Sequence, residues 1–152
     1  MKIIPYEIKY LKEIIANQPN LYSLNFKNAK FVDAAYLFII RQLYNDLYNN
    51  AFVLLMNDKV IGFYLCDVGY ESASLLQIYI ATEYRQQGYG KMLMLHFEEH
   101  VKDVDHIELE VSMMNSVSVD FYTKNGYVPM MEYEDQGEKR QFLVKELKSS
   151  VI

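Results

Sequence analysis

The chain has 152 residues, a formal net charge of −5 and an apolar fraction of 51%, which together predict one folded domain with a substantial core. Because no basic patch is present, the sequence argues against a nucleic-acid or membrane partner, and its acidic balance suits a cationic partner such as an amine. One cysteine, Cys66, excludes an intrachain disulfide and is typical of a cytoplasmic protein. We interpret it as a small core residue.

The first third of the chain predicts a short strand and two helices. The N-terminus has no long apolar run, so we expect neither a signal peptide nor a membrane span. Lys2–Ile4 is strand-like, and apolar residues at helical spacing predict a helix over Tyr6–Asn17. Asn20–Lys30 is irregular. A long helix with one apolar side is then predicted from Ala34 to about Asn49.

The middle of the chain predicts a hairpin, a buried strand and a helix. Phe52–Met56 and Val60–Val68 are strand-like runs joined by the tight connection Asn57-Asp58-Lys59. Ser74–Ile80 is apolar and rich in β-branched and aromatic residues, which predicts a buried strand. Helical periodicity returns over Lys91–Lys102, and its apolar residues form a face that can lie on the sheet.

The last third predicts a strand and a helix, then a closing pair of strands. His106–Ser112 alternates polar and apolar residues as a strand does. Asn115 or Ser116 can cap a helix that runs to about Asn125, and Gly126 supplies a left-handed stop.

The closing strands are predicted over Tyr127–Tyr133 and Gln141–Leu147, around a polar loop, Glu134–Lys139. Strands that alternate with helices and end in a β pair predict a three-layer α/β domain with a mixed sheet.

Two glycines separate the strand Ser74–Ile80 from the helix that follows, within Arg85-Gln86-Gln87-Gly88-Tyr89-Gly90-Lys91. Such positions let backbone N–H groups converge on an anion at the positive end of the helix dipole. We therefore predict a phosphate cradle here. A dinucleotide fingerprint would need glycine at position 93, which is Leu, and a nucleoside-triphosphate loop would need glycine at 85 and Ser or Thr at 92, which are Arg and Met.

The motif that remains resembles that of a known superfamily. R-Q-Q-G-Y-G at 85–90 is similar to the R/Q-x-x-G-x-G/A motif of the GNAT superfamily of acetyl-CoA-dependent N-acetyltransferases, and the preceding I-Y-I-A-T-E-Y-R run is similar to its L-Y-V-x-P-E-Y-R. L-E-V-S-M-M-N at 109–115 and F-Y-T-K-N-G-Y at 121–127 resemble the family's L-E-V-x-x-x-N…F/L-Y-x-x-x-G-F/Y block. This form looks most like the branch that acetylates the N-terminal alanine of a ribosomal protein.

The resemblance implies a three-layer α/β/α GNAT fold over residues 1–152, with a mixed, mostly antiparallel central sheet. It also implies acetyl-CoA as co-substrate and a primary amine, small-molecule or peptide, as acceptor. The pantetheine arm would lie between the strand ending at Ile80 and the strand containing Glu110, and the pyrophosphate would lie on the N–H groups of Gln86–Lys91. The cofactor residues implied are Ile78, Tyr79, Ile80, Arg85, Gln86, Gln87, Gly88, Tyr89, Gly90, Lys91 and Asn115.

A general base is needed because free amines have pKa values of about 8–10 and are mostly protonated at neutral pH. By resemblance, Glu110 is the favoured base. Glu108 lies on the same strand face by alternation, so sequence alone does not separate the two, and Glu83 beside the cradle is the reserve.

The departing thiolate needs a proton donor, and Tyr122 matches the family's donor. Asn115 matches a cofactor contact, although an ordinary helix cap would look the same. The family often has glycine and a basic residue where this chain has Gln86 and Gln87, which weakens the electrostatic hold on a pyrophosphate. Lys91 can compensate.

Two alternatives stay open. One is a CoA-binding sensor or scaffold without turnover. The other is a zinc hydrolase, because His96-Phe97-Glu98-Glu99-His100 fits the inverted H-x-x-E-H motif on a predicted helix. Residues 22–50 and 130–140 correspond to the regions that shape the acceptor pocket in this superfamily, and exposed closing strands are compatible with a homodimer. Aromatic residues in the first region either line that pocket or form core: Tyr22, Phe26, Phe31, Tyr36 and Tyr44.

Overall fold

The computed structural model describes residues 1–16, 41, 43, 50–135 and 137–148. Residues 41 and 43 are helical. The rest of the long helix predicted from Ala34 to about Asn49, the irregular stretch Asn20–Lys30 and the aromatic residues considered for the acceptor pocket lie outside the described residues. Among those that are described, no helix combines the length and the apolar character needed to cross a membrane.

Within the ranges that the structure describes, seven strands form one mixed sheet in the order β1-β2-β3-β4-β5-β7-β6. Among these strands only β4 and β5 run parallel, and the other five neighbouring pairs are antiparallel. This confirms the predicted mixed, mostly antiparallel sheet. The strands are β1 (Lys2–Pro5), β2 (Ala51–Met56), β3 (Lys59–Val68), β4 (Ser72–Ile80), β5 (His106–Ser112), β6 (Val128–Asp135) and β7 (Glu138–Glu146).

Two complete helices follow the central strands, α1 (Tyr89–His100) and α2 (Ser116–Lys124). Helix α1 begins two residues before the predicted start at Lys91 and ends two residues earlier than Lys102. Helix α2 agrees with its prediction, because the Asn115 side chain accepts a hydrogen bond from the Ser118 N–H at 3.1 Å. Near the N-terminus, a 3₁₀ turn (Ile8–Tyr10) leads into helical residues 11–16.

The sheet carries a core on each face. In β2, Phe52 and Leu54 belong to the core under α1, whereas Val53 belongs to the core on the other face, as strand alternation requires. Phe97 of α1 is buried in the first core, and the helical residues Ile14 and Leu43 are buried in the second. Helical residues therefore cover both faces of the sheet, which gives the three-layer α/β/α arrangement.

The two hairpins differ in how well sequence predicts them. Asn57 and Asp58 join β2 to β3 and both adopt positive φ, at 51° and 63°, as a tight two-residue hairpin turn requires. The predicted polar loop Glu134–Lys139 is wrong in extent, because β6 runs to Asp135 and β7 begins at Glu138. Backbone pairing at this edge hairpin continues through polar residues, whether their side chains face solvent or, like Glu138, are buried, so polarity does not end the strand.

Candidate active site

Strands β4 and β5 separate at the centre of the sheet. Their parallel pairing begins at Ser72 opposite His106 and ends at Leu75 opposite Leu109, although β4 continues to Ile80 and β5 to Ser112. Each strand stays paired to its outer neighbour beyond this point, β4 to β3 and β5 to β7. The two facing strand edges therefore open into a cleft of about 770 Å³.

The predicted phosphate cradle, residues 85–91, contributes five residues to the lining of this cleft. Gly88 is the N-cap of α1, and the first helical hydrogen bond runs from the Met92 N–H to the Gly88 carbonyl at 3.1 Å. The amides of residues 88–91 consequently have no acceptor within the helix. They lie at the positive pole of the helix dipole, and Gly88, Gly90 and Lys91 line the cleft, so this helix start is suited to bind an anion.

Glycine is required at positions 88 and 90 of the cradle for different physical reasons. Gly88 adopts φ +88°, and a Cβ placed there would meet nothing within 4 Å, so its requirement is conformational. A Cβ at Gly90 would lie 3.3 Å from Cε1 of Phe121 on α2, so its requirement is close packing. Gln86 also adopts a positive φ, 62°, at a position where the superfamily often has glycine.

Arg85 attaches the cradle to the end of β4. Its Nε donates a hydrogen bond to the Ile80 carbonyl at 2.8 Å, and its guanidinium lies 5.4 Å from the centre of the Tyr79 ring. Burial raises the pKa of the Tyr79 phenol, and the neighbouring Arg85 cation opposes that rise. Arg85 therefore acts on the loop geometry as well as on the electrostatics of the cleft.

The cleft brings together most of the predicted site residues. Those that line it are Ile78, Tyr79, Ile80, Arg85, Gln86, Gly88, Gly90, Lys91, Glu110, Asn115 and Tyr122. Gln87 and Tyr89 do not contribute to the lining. The Gln87 side chain donates instead to the Glu83 carbonyl at 3.3 Å, and Tyr89 packs against the core under α1.

Of the α2 wall of the cleft, sequence reasoning assigned only Asn115 and Tyr122 to the site. The face of α2 that carries Phe121 and Tyr122 also presents Val117, Ser118, Lys124 and Asn125 to it. The three- and four-residue spacing of these positions is the signal that could have found them. Lys124 adds a cation to the cleft, and Lys91 lines it too. Gln77 and Arg140 also line the cleft and were not predicted.

The structure separates the three candidate bases. Glu110 lines the cleft and is exposed. Glu108 does not line the cleft; it lines an adjoining cavity of about 230 Å³ that Glu110 also borders, and it lies 3.4 Å from both the Ser74 hydroxyl and His106 Nε2. Glu83 belongs to the 3₁₀ turn Thr82–Tyr84 and does not contribute to the cleft lining. Glu110 is thus the carboxylate best placed to meet an amine in the cleft.

Tyr122 lies half-buried at the α2 wall, with its ring 5.5 Å from that of Phe121 and 6.1 Å from that of Tyr127. Burial raises the pKa of the Tyr122 phenol above its ordinary value of 10.0. A phenol with a raised pKa keeps its proton at neutral pH and is suited to donate a hydrogen bond to a developing thiolate.

The histidine pair of the zinc motif belongs to helix–sheet packing. His96 Nδ1 lies 2.8 Å from the Tyr64 hydroxyl, and the rings of His96 and His100 each lie 4.8 Å from Phe52. Within the described ranges, no cluster of three or more candidate metal ligands is present. Cys66 is buried, and burial raises the pKa of its thiol to about 12, in agreement with a core role.

Comparison with known proteins gives a family match over most of the chain. A family model described as the acetyltransferase (GNAT) family matches residues 17–127. The chain is 37% identical over 73 residues to a spermidine N(1)-acetyltransferase of Thermoplasma acidophilum, which covers 47% of this chain and 45% of that protein. It is 36% identical over 76 residues to a ribosomal protein bS18-alanine N-acetyltransferase of Haemophilus influenzae, covering 49% and 51%. The chain thus matches only about half the length of these curated relatives.

Solved structures share the fold over nearly the full chain. The ribosomal-protein-S18-alanine N-acetyltransferase of Escherichia coli superposes with a TM-score of 0.74 at 16% identity, covering 99% of this chain and 96% of that one. A PaiA N-acetyltransferase of T. acidophilum in complex with coenzyme A also gives 0.74, at 21% identity, covering 95% and 98%. At these identities the likeness concerns the fold alone.

Proposed function

The chain belongs to the acetyltransferase (GNAT) family, and from that premise we propose that it is an acetyl-CoA-dependent N-acetyltransferase acting on a primary amine. The observation that carries this proposal is the coincidence of two features. The cleft between β4 and β5 offers unpaired strand edges, and the cradle at its end offers helix N-terminal amides. An extended pantetheine arm that ends in a diphosphate needs both.

The residues present fit acetyl-CoA. The amides of residues 88–91 are the donors we assign to the pyrophosphate, and Lys91 and Lys124 supply positive charge along the same cleft. The cleft volume of about 770 Å³ lies within the usual range for small-molecule sites, about 300–1,000 Å³. Acetyl-CoA, when bound, supplies the activated acetyl group as a thioester.

The chain's own residues then handle protons. We assign Glu110 as the base that accepts a proton from the acceptor ammonium, directly or through one water, so that the neutral amine can attack the thioester carbonyl. The new C–N bond forms as the C–S bond breaks, and the nitrogen loses its second proton to solvent. Tyr122 donates a hydrogen bond to the departing sulfur as negative charge develops there and then transfers its proton to that sulfur, so the coenzyme leaves as a thiol and solvent reprotonates the phenol.

We propose an amine as the acceptor, and the names of two curated relatives support this class. Those names specify spermidine and an alanine of ribosomal protein bS18. The net charge of −5 is compatible with cationic acceptors of either kind. A screen of polyamines and of peptides with N-terminal alanine, at fixed acetyl-CoA and with thiol release as the readout, tests the proposal.

A binding-only sensor is the competing function. Both functions predict acetyl-CoA binding, but only the enzyme predicts thiol release that depends on an added amine. Thiol release above the amine-free rate supports the enzyme, and its absence with every amine in the panel, despite saturable binding, supports the sensor. The cytoplasmic location and the homodimer stay predictions, and light scattering of the purified protein tests the latter.

A further inference from the structure

Glu110 has close neighbours on the terminal hairpin. Across the sheet, Glu110 pairs with Phe142, the next same-face position of β7 is Arg140, and Arg140 pairs with Tyr133 on β6. Paired residues share a face of the sheet, so the Glu110, Arg140 and Tyr133 side chains all emerge on the same side. Arg140 lines the cleft together with Glu110.

These residues interact one after another, from Glu110 in the cleft to Glu138 on the terminal hairpin. The Glu110 carboxylate lies close enough to the Tyr133 phenol to raise the pKa of that phenol. Arg140 Nε donates a hydrogen bond to the Tyr133 hydroxyl at 3.3 Å, and Arg140 Nη1 lies 3.7 Å from Glu138 Oε1. The line Glu110, Tyr133, Arg140, Glu138 therefore has a carboxylate at each end and a neutral phenol and a guanidinium between them.

Glu138, at the hairpin end of this line of residues, is buried. It is 0% exposed, and in the described part of the chain neither of its carboxylate oxygens accepts a hydrogen bond. A buried carboxylate needs a counter-ion, and Arg140, which is 9% exposed, is the cation beside it. The ion pair with Glu138 thereby retains the guanidinium at the hairpin.

We propose that Tyr133 is a positioning residue whose phenol, oriented by Arg140, donates a hydrogen bond to Glu110 and holds that carboxylate toward the cleft. Glu138 keeps the guanidinium in place behind the phenol. An exposed glutamate otherwise distributes over many rotamers, and restricting it removes entropy that would be lost when the reacting amine arrives. This inference rests on the proposed function, in which Glu110 is the base.

The electrostatics of Tyr133 agree with this geometry. Burial raises the pKa of its phenol, the Arg140 guanidinium opposes the rise, and the Glu110 carboxylate adds to it. In the described part of the chain, the other titratable groups that line the two cavities bordered by Glu110 are Glu108 on the same strand and the cleft residues Tyr79, Tyr84, Arg85, Lys91, Tyr122 and Lys124.

A kinetic experiment separates positioning from acceptor binding. With an amine that the screen identifies, Tyr133→Phe is expected to lower kcat by about ten-fold while the KM for the amine and the affinity for acetyl-CoA stay unchanged. Tyr70→Phe is the matched control, because Tyr70 is fully exposed and distant in the chain. A rise in amine KM at unchanged kcat would make Tyr133 an acceptor-binding residue, and a kcat within two-fold of the wild type would remove it altogether; either result overturns the proposal.

A second measurement does not depend on turnover. Tyrosine labelled with ¹³C at Cζ reports the titration of Tyr133, assigned by the signal lost in Tyr133→Phe. Glu110→Gln removes a charge that raises the Tyr133 pKa, so its titration is expected to move to lower pH, whereas Arg140→Gln is expected to move it to higher pH. An unchanged titration in Glu110→Gln overturns the contact even if the wild type acetylates no amine, which keeps this test distinct from failure of the proposed function.

Discussion

The ring of Phe121 packs against Gly90 so closely that a Cβ at position 90 would lie 3.3 Å from Cε1 of that ring. This contact joins the first turn of α1 to the α2 wall of the cleft. Gly90→Ala therefore requires the ring to shift, at a cost of about 1–3 kcal/mol. We expect weaker acetyl-CoA binding by isothermal titration calorimetry, with partial recovery when Phe121→Leu is added. Equal affinity in Gly90→Ala and wild type would show that this contact does not shape the cleft.

Gly88 makes a different prediction, because its requirement is the backbone dihedral and no atom lies within 4 Å of a Cβ there. Gly88→Ala places a side chain at φ +88° and is expected to lower the free energy of unfolding by about 1–2 kcal/mol. Urea denaturation measures the loss. Gln86→Gly is the control, since it relieves a positive φ and should cost little. A Gly88→Ala protein as stable as the wild type would contradict the conformational explanation.

Tyr122→Phe tests the assignment of the phenol to the departing sulfur. We expect kcat to fall by about 10–100-fold with acetyl-CoA affinity nearly unchanged, because the hydroxyl acts only as charge develops. Since burial raises the pKa of Tyr122 above 10.0, the phenol keeps its proton as the pH rises, so the wild-type rate should not fall between pH 8 and 10 through loss of this proton. Unchanged turnover in the variant would remove Tyr122 from the mechanism.

The lowered pKa of His96 leads us to expect that the stability of the fold depends on pH. Burial lowers the pKa of His96 below 6.5, and the neighbouring His100 lowers it further, so the folded state prefers the neutral imidazole. The stabilisation is present above pH 6.5 and is lost as the pH falls, because the unfolded chain then binds the proton more readily. Thermal melts from pH 7.5 to 5 should show a larger fall in Tm for the wild type than for His96→Gln. Parallel curves would argue against this assignment.

Local sequence patterns predicted most of the described helices and strands, because the formation of such an element depends largely on residues that are close together in the sequence. Alternation placed β5 at His106–Ser112, and the Asn115 cap placed the start of α2. The predicted extent of the closing strands was wrong, because backbone pairing at the sheet edge continues through polar residues.

The cleft depends on contacts that are distant in sequence. The separation of β4 from β5 is set by their outer partners, and the packing of Phe121 on Gly90 joins two helices, so neither is visible in a local pattern. Strand alternation could not separate Glu108 from Glu110 either. In the structure, Glu108 lies beside Ser74 and His106, whereas Glu110 lines the cleft.

The most direct test of the account is a calorimetric titration of the purified chain with acetyl-CoA. Helix N-terminal amides at residues 88–91 and open strand edges leading to them predict a saturable heat with one ligand per chain. A flat titration with both acetyl-CoA and CoA, on protein that melts cooperatively, would contradict the assignment of this cleft.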